Sequence, residues 1–264
     1  RVLGCGTELY PPQIQSNLDC TLCLDCARAC PHDNVALAWR APLAEVSRPF
    51  AWPRRWDVNL LVVIFAFMGV GNAFGMVPPV YALAAWLGAR LRLPGEGAVL
   101  LLIFGVLHLL LPLLLALGAA WLSRRLARRA EPLRHTLARY APAFVPLAFA
   151  IWLAHYAGFH FLSGALTIVP VLQNLLLDLG IPWFGQPNWA LGPLLPARWL
   201  DPLELGVLLL GAAASLHVVG ERARPSADRL AAQLPWLVLL AALAAAALYV
   251  MFLPMEMRGA AMQG

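Results

Sequence analysis

Long apolar runs alternate with short, arginine-bearing stretches along the chain, and that pattern alone predicts most of its elements. Five runs approach or exceed the roughly 20 residues a helix needs to cross a bilayer's hydrocarbon core. They cover about 57–77, 96–123, 140–163, 201–219 and 234–253. Pro78-Pro79 ends or kinks the first, because proline removes a backbone donor and forces the preceding residue out of helical geometry. Pro254 stops the fifth. A further apolar stretch, 80–93, is too short to span and carries Arg90 and Arg92, which predicts an interfacial or re-entrant segment. Residues 164–200 are rich in proline and almost free of charge. Within them, Thr167 to Gly180 predicts a short helix lying in the interface, closed by Gly180 as its cap. The predicted fold is mainly α: a polytopic transmembrane helix bundle of about five spans, preceded by a small N-terminal segment.

Composition supports a membrane protein. Of the 264 residues, 61% are hydrophobic and only 12% are charged, about half the usual globular share, and the mean hydropathy is +0.71. The net charge of +5 does not point to nucleic acid. Its arginines sit in clusters between apolar runs, the pattern that sets membrane orientation rather than one that lines a groove. Arg124, Arg125, Arg128, Arg129, Arg134 and Arg139 form the strongest cluster. Arg222, Arg224 and Arg229 form another, and Arg40, Arg48, Arg54 and Arg55 precede the first span. Two spans separate each cluster from the next, so all three can lie on the cytoplasmic side. That orientation places the N-terminal segment in the cytoplasm of a bacterial-type inner membrane. Residues 164–200 and the C-terminus then face the opposite side.

The N-terminal segment, 1–40, has its own chemistry. Cys20-Thr21-Leu22-Cys23-Leu24-Asp25-Cys26-Ala27-Arg28-Ala29-Cys30-Pro31 follows the C-x2-C-x2-C-x3-C-P spacing of iron–sulfur ligation. Zinc sites usually draw on two separated pairs of ligands, and disulfides need no such crowding. The expected cofactor is a [4Fe–4S] cluster. In the two-cluster scheme the fourth cysteine of the run serves a neighbouring cluster. Cys20, Cys23 and Cys26 then take their fourth ligand from Cys5, set between Gly4 and Gly6, and Cys30 serves a second cluster. Two alternatives stand beside this: Cys30 closes the one cluster, or Cys5 is a spare packed thiol. A second cluster needs more ligands from upstream sequence or from a partner. With Arg1 rather than Met at its start, the chain reads as a fragment lacking an upstream part. Tyr10-Pro11-Pro12 excludes a regular helix there, and Asn34 to Leu37 predicts a short strand or turn covering the cluster. So little apolar material needs an inorganic core as its staple. Residues 41–56 form a basic linker with Pro42, Pro49 and Pro53. Trp52 and Trp56 suit the membrane–water boundary or packing on the cluster segment. Residues 57–264 form the helical domain.

Ionisable groups inside membrane spans are functional suspects by default. His108 and His155 fall at similar depths on neighbouring spans, which raises axial haem ligation. Against it, neither helix repeats a histidine pair, and His155 and His160 lie about 140° apart around an α-helix. The alternatives are histidines hydrogen-bonded between helices or a quinone pocket built from His155, Tyr156, His160 and Gln173. No Gly-rich phosphate loop or dinucleotide fingerprint is present.

The cysteine run, the Pro- and Arg-rich linker and the polytopic bundle together resemble the membrane-bound polyferredoxin-type proteins. Those include iron–sulfur membrane subunits of nitrate and nitrous-oxide reduction systems and proteins assisting cytochrome oxidase maturation. The resemblance rests on about a tenth of the chain and lacks one full cluster motif. It implies paired cytoplasmic [4Fe–4S] clusters and electron exchange with the membrane. The expected function is a membrane-anchored electron-transfer subunit working with a redox partner subunit or a soluble carrier. The other classes are a structural or assembly subunit within a larger redox complex, and a quinone- or haem-linked oxidoreductase.

Overall fold

The computed structural model describes residues 5–10, 14, 18–48, 52, 55–93 and 95–254. Pro11-Pro12, Pro49, Pro53, Arg54, Arg1, Gly4 and the C-terminal tail lie outside them, so the expectations on those residues lie outside them too. Among the described residues all regular structure is helical and there is no strand. Two short helices, α1 (Asp25–Ala29) and α2 (Ala44–Ser47), precede the bundle. Five helices are long and apolar enough to cross a membrane, which makes the chain an integral membrane protein by composition and fold. They are α3 (Trp56–Phe74), α5 (Glu96–Leu126), α6 (Leu133–Leu162), α8 (Leu200–Ala223) and α9 (Arg229–Met251). Between them lie α4 (Pro78–Leu91) and α7 (Ala165–Asp178).

Several boundaries differ from the pattern for identifiable reasons. Pro78-Pro79 does end the first apolar run, but it also starts α4. Val77 is extended at φ −114°, as a residue before proline must be, and the two prolines fit a first turn whose N–H groups have no helical partner. α4 is a full helix that buries Val80 against Val99 and Ile103 of α5. The arginine-rich loop is shorter than its charge suggests, because α6 begins at Leu133 and carries Arg134 and Arg139 in its first turns. Glu131 wires that corner: it accepts from Arg139 at 2.9 Å and from Thr136 at 2.9 Å, while Arg129 reaches both Glu131 and Ser226. Burial pushes the Glu131 carboxyl up. The Thr136 hydroxyl and the two guanidiniums outweigh that and hold it below the usual carboxylate range. Gly180 follows α7 at φ +75°, the left-handed conformation expected of a capping glycine. Asn34 to Leu37 form no strand, and Leu37 and Trp39 are exposed.

In the bundle, α6 lies between α3 and α8, and α9 closes the set against α8, α5 and α3. The shared core holds Val63, Phe67, Phe144, Leu147, Leu208 and Leu240 around the fully buried Trp236, which stacks on Tyr140 at 5.1 Å. Close approach depends on missing side chains. A Cβ on Gly211 would collide with Ala150 and sit 3.0 Å from the Pro146 carbonyl oxygen, so glycine there lets α8 lie directly on α6.

The cysteine segment is tied to one end of this bundle. Arg222, 1% exposed, donates through Nε to the Val46 carbonyl at 2.7 Å and through Nη2 to the Glu45 carbonyl at 3.4 Å. It thus occupies carbonyls that a four-residue helix leaves without partners. The Val46 side chain is itself buried in the core. Arg55, just before α3, bonds Asp19 at 2.9 Å, one residue ahead of Cys20. Trp52 packs on the bundle and donates to Asn59 at 2.9 Å, whereas Trp56 is exposed.

Candidate functional site

The structure holds two groups of chemically capable side chains. In the N-terminal segment, Leu22 and Leu24 take φ of +55° and +63°. That conformation is costly for a side chain with a Cβ and concentrates at ligand-clamping loops. It curls the chain between Cys20, Cys23 and Cys26, and Cys26 then rides on α1. Three sulfurs have donors nearby. The Leu22 N–H donates to Cys20 Sγ at 3.4 Å and the Asn34 N–H to Cys30 Sγ at 3.3 Å, while Thr7 Oγ1 lies 3.2 Å from Cys5 Sγ. The Thr7 hydroxyl and the Leu9 backbone lower the Cys5 pKa, and the amides of Asn34 and His32 lower that of Cys30. Both thiols are therefore biased towards the thiolate, the form that ligates metal. These loops suit cluster sulfurs in their donor chemistry. They do not suit them in convergence: among the described residues no three His, Cys, Asp or Glu side chains come together as a metal site. All five cysteines are free thiols.

The second group lies inside the bundle, at two π-helical segments. One, Val106–Leu110 in α5, carries His108; the other, Leu153–Leu162 in α6, carries His155, Tyr156 and His160. The first has a local cause, since Pro112 offers no N–H to the His108 carbonyl four residues back. The second changes which residues are neighbours. A π-helix repeats by i→i+5 hydrogen bonds, so residues five apart stack on one face. His155 and His160, expected on different faces of an α-helix, instead lie with ring centroids 4.7 Å apart. Tyr156 meets both rings, at 4.9 and 5.6 Å, and stacks on Trp152 at 5.3 Å with the planes 4° apart. Trp152 donates to the Phe65 carbonyl at 3.0 Å, fixing this stack to α3.

Asn72 of α3 completes the group. Its Nδ2 lies 3.0 Å from His155 Nε2 and 3.2 Å from the Tyr156 hydroxyl. Glu204 of α8, also buried, places its carboxyl beside Gly158, where any side chain on the π-segment would stand. Asn72 and Glu204 were not singled out from sequence. Glu204 carried the available signal, a carboxyl within an apolar run; Asn72 carried none, because a lone amide in a span reads as packing.

His108 and Gln173 fall elsewhere. The His108 ring packs where a Gly71 side chain would be and sits 5.2 Å from the Phe104 ring. Gly71 and Asn72 are consecutive, so their side-chain directions diverge by about 100°. His108 thus meets α3 at Gly71, whereas His155 meets it at Asn72. Beside Gly71 a cleft of about 280 Å³ between α3, α5 and α9 is lined by apolar residues such as Phe74, Leu111 and Leu243. Gln173 braces the loop after α7, donating to the Phe184 carbonyl at 2.7 Å and accepting from the Asn188 N–H at 3.2 Å. Comparison with protein-family models, with curated proteins and with solved structures found no match.

Proposed function

We propose that the chain is a membrane-anchored iron–sulfur electron-transfer subunit of the polyferredoxin type. The observation that carries this reading is the Cys20 to Pro31 run, whose spacing is that of [4Fe–4S] ligation. Amide N–H groups beside Cys20 and Cys30 support it. Cys5, Cys20, Cys23 and Cys26 hold one cluster in this reading, and Cys30 serves a second one completed by upstream sequence or a partner. A cluster held there supplies one-electron chemistry. The protein's own part is to fix the segment at the bundle end through Arg222 and the Asp19–Arg55 pair. The arginine clusters support a cytoplasmic position for that end in a bacterial-type inner membrane, within reach of a soluble carrier or partner subunit.

Iron and acid-labile sulfide, measured per full-length chain after anaerobic purification, test the reading. Four of each or more is expected, with an electron paramagnetic resonance signal on reduction. Zinc alone, or no metal, overturns it. Loss of the only cluster in Cys30→Ala, with the cluster intact in Cys5→Ala, would reverse the ligand assignment. Cysteine labelling of an engineered site at Arg128 checks sidedness: access only from the cytoplasmic face is expected.

A second reading is favoured by the π-helical group. Two imidazoles, a phenol and an amide meet inside an apolar bundle, and such groups suit the carbonyls and hydroxyls of a quinone. In this reading the membrane redox partner is a lipid-soluble quinone. Quinol-dependent reduction of the cysteine-held cluster tests it.

A further inference from the structure

We propose that Asn72 sets the tautomer of His155, keeping its proton on Nδ1, so that the π-helical group offers a buried N–H donor to a carbonyl oxygen of an apolar ligand. An amide nitrogen has hydrogens to give and no lone pair to accept with. Asn72 Nδ2 therefore donates both ways, to His155 Nε2 at 3.0 Å and to the Tyr156 hydroxyl at 3.2 Å. A neutral imidazole whose Nε2 accepts must carry its proton on Nδ1.

That nitrogen is buried without a partner among the described residues, a state it shares with His108 Nε2 and Trp236 Nε1. His155 as a whole is 1% exposed. Leaving a buried donor unsatisfied costs about 1–3 kcal/mol, a cost that an acceptor at Nδ1 would remove. The ring is not free to turn away. His160 and Tyr156 meet it edge-on, and Tyr156 is held by the Trp152 stack anchored on Phe65. A protonated ring nitrogen does not ligate a metal. It does donate to an uncharged acceptor such as a carbonyl, in surroundings where apolar matter is the solvent.

The ligand clause rests on the quinone reading above; the tautomer clause does not. Both are measured on the full-length chain, labelled with ¹⁵N-histidine, in lipid bilayers at mildly alkaline pH. His155 is identified by the resonances lost in His155→Phe. One protonated signal at Nδ1 and one unprotonated signal at Nε2 are expected. Asn72→Asp presents a carboxylate that can only accept, and should move the proton to Nε2. Asn72→Ala should yield both tautomers. A wild-type proton on Nε2, or an Asn72→Asp spectrum identical to wild type, overturns the assignment; the wild-type spectrum decides even if a variant fails to insert. For the ligand, decylubiquinone with ¹³C-labelled carbonyls should show a lowered carbonyl stretch on binding. Its affinity should fall about tenfold in Asn72→Asp, the loss of one buried hydrogen bond. The expected tautomer together with no carbonyl shift overturns the ligand clause and the quinone reading while leaving Asn72's role standing.

Discussion

The cysteine segment and the π-helical stretch of α6 carry the chain's two sets of reactive side chains, and they are assembled in opposite ways. In the segment, chemistry is concentrated in twelve consecutive residues, Cys20 to Pro31, with Cys5 ahead of them. Its helix, α1, is five residues long, and most of its large apolar side chains, Leu22, Leu24, Leu37 and Trp39 among them, are exposed. The bundle site is the reverse. Asn72, His155, Tyr156 and His160 come from two helices more than eighty residues apart in the chain, and Asn72 is ordinary in its own sequence context. There the packing of α3 and α8 against α6 brings the polar group together. The contrast teaches where stability comes from. A segment that cannot bury a core depends on ligands and on ties to its neighbour, whereas a packed interface can hold polar side chains in place.

Breaking each region should therefore give different kinds of loss. The largest effect is expected for Cys23→Ser: the reduced-protein paramagnetic signal should disappear while the helical content, measured by circular dichroism, stays unchanged. Loss of both together would mean that the segment and the bundle are one cooperative unit. Next comes Gly211→Leu, which drives a side chain into Ala150 and the Pro146 carbonyl. Overpacking of this kind should cost about 3 kcal/mol in detergent unfolding assays. Gly206→Leu, which meets open space on the same helix, should change little.

The two intramembrane histidines sharpen the comparison further. His155→Phe leaves Asn72 with one partner lost inside the bundle and should cost about 1–2 kcal/mol. His108→Leu removes a side chain whose Nε2 has no hydrogen-bond partner, so it should be neutral or slightly stabilising. Equal penalties for the two would show that His108 also has a polar role. The arginine corner should show a small effect that depends on pH. Because the folded Glu131 carboxyl is held below its ordinary value, its stabilisation is fully present above the unfolded Glu pKa of about 4.3. It fades as pH falls through the folded value. Glu131→Gln should therefore cost about 1 kcal/mol near neutrality and nothing in acid, where a pH series of unfolding midpoints for the two proteins should converge.

Hydrophobic length and periodicity determined the five spans and the helical class, because a 20-residue apolar run has few folded destinations other than a buried or membrane-spanning helix. Cysteine spacing suggested the candidate metal chemistry in the same local way, since the four cysteines of the run lie within twelve residues of one another. The start of α4 at Pro78 and of α6 at Leu133 followed from proline's and the helix terminus's own rules, which hydropathy does not weigh. The tertiary structure alone decided that His155 and His160 are neighbours, that Asn72 meets them, and that His108 does not. Each of those outcomes turns on a π-helical repeat or on a glycine that lets two helices touch. Both are settled by packing across the bundle, where a one-residue change of repeat costs little locally and redirects every side chain beyond it.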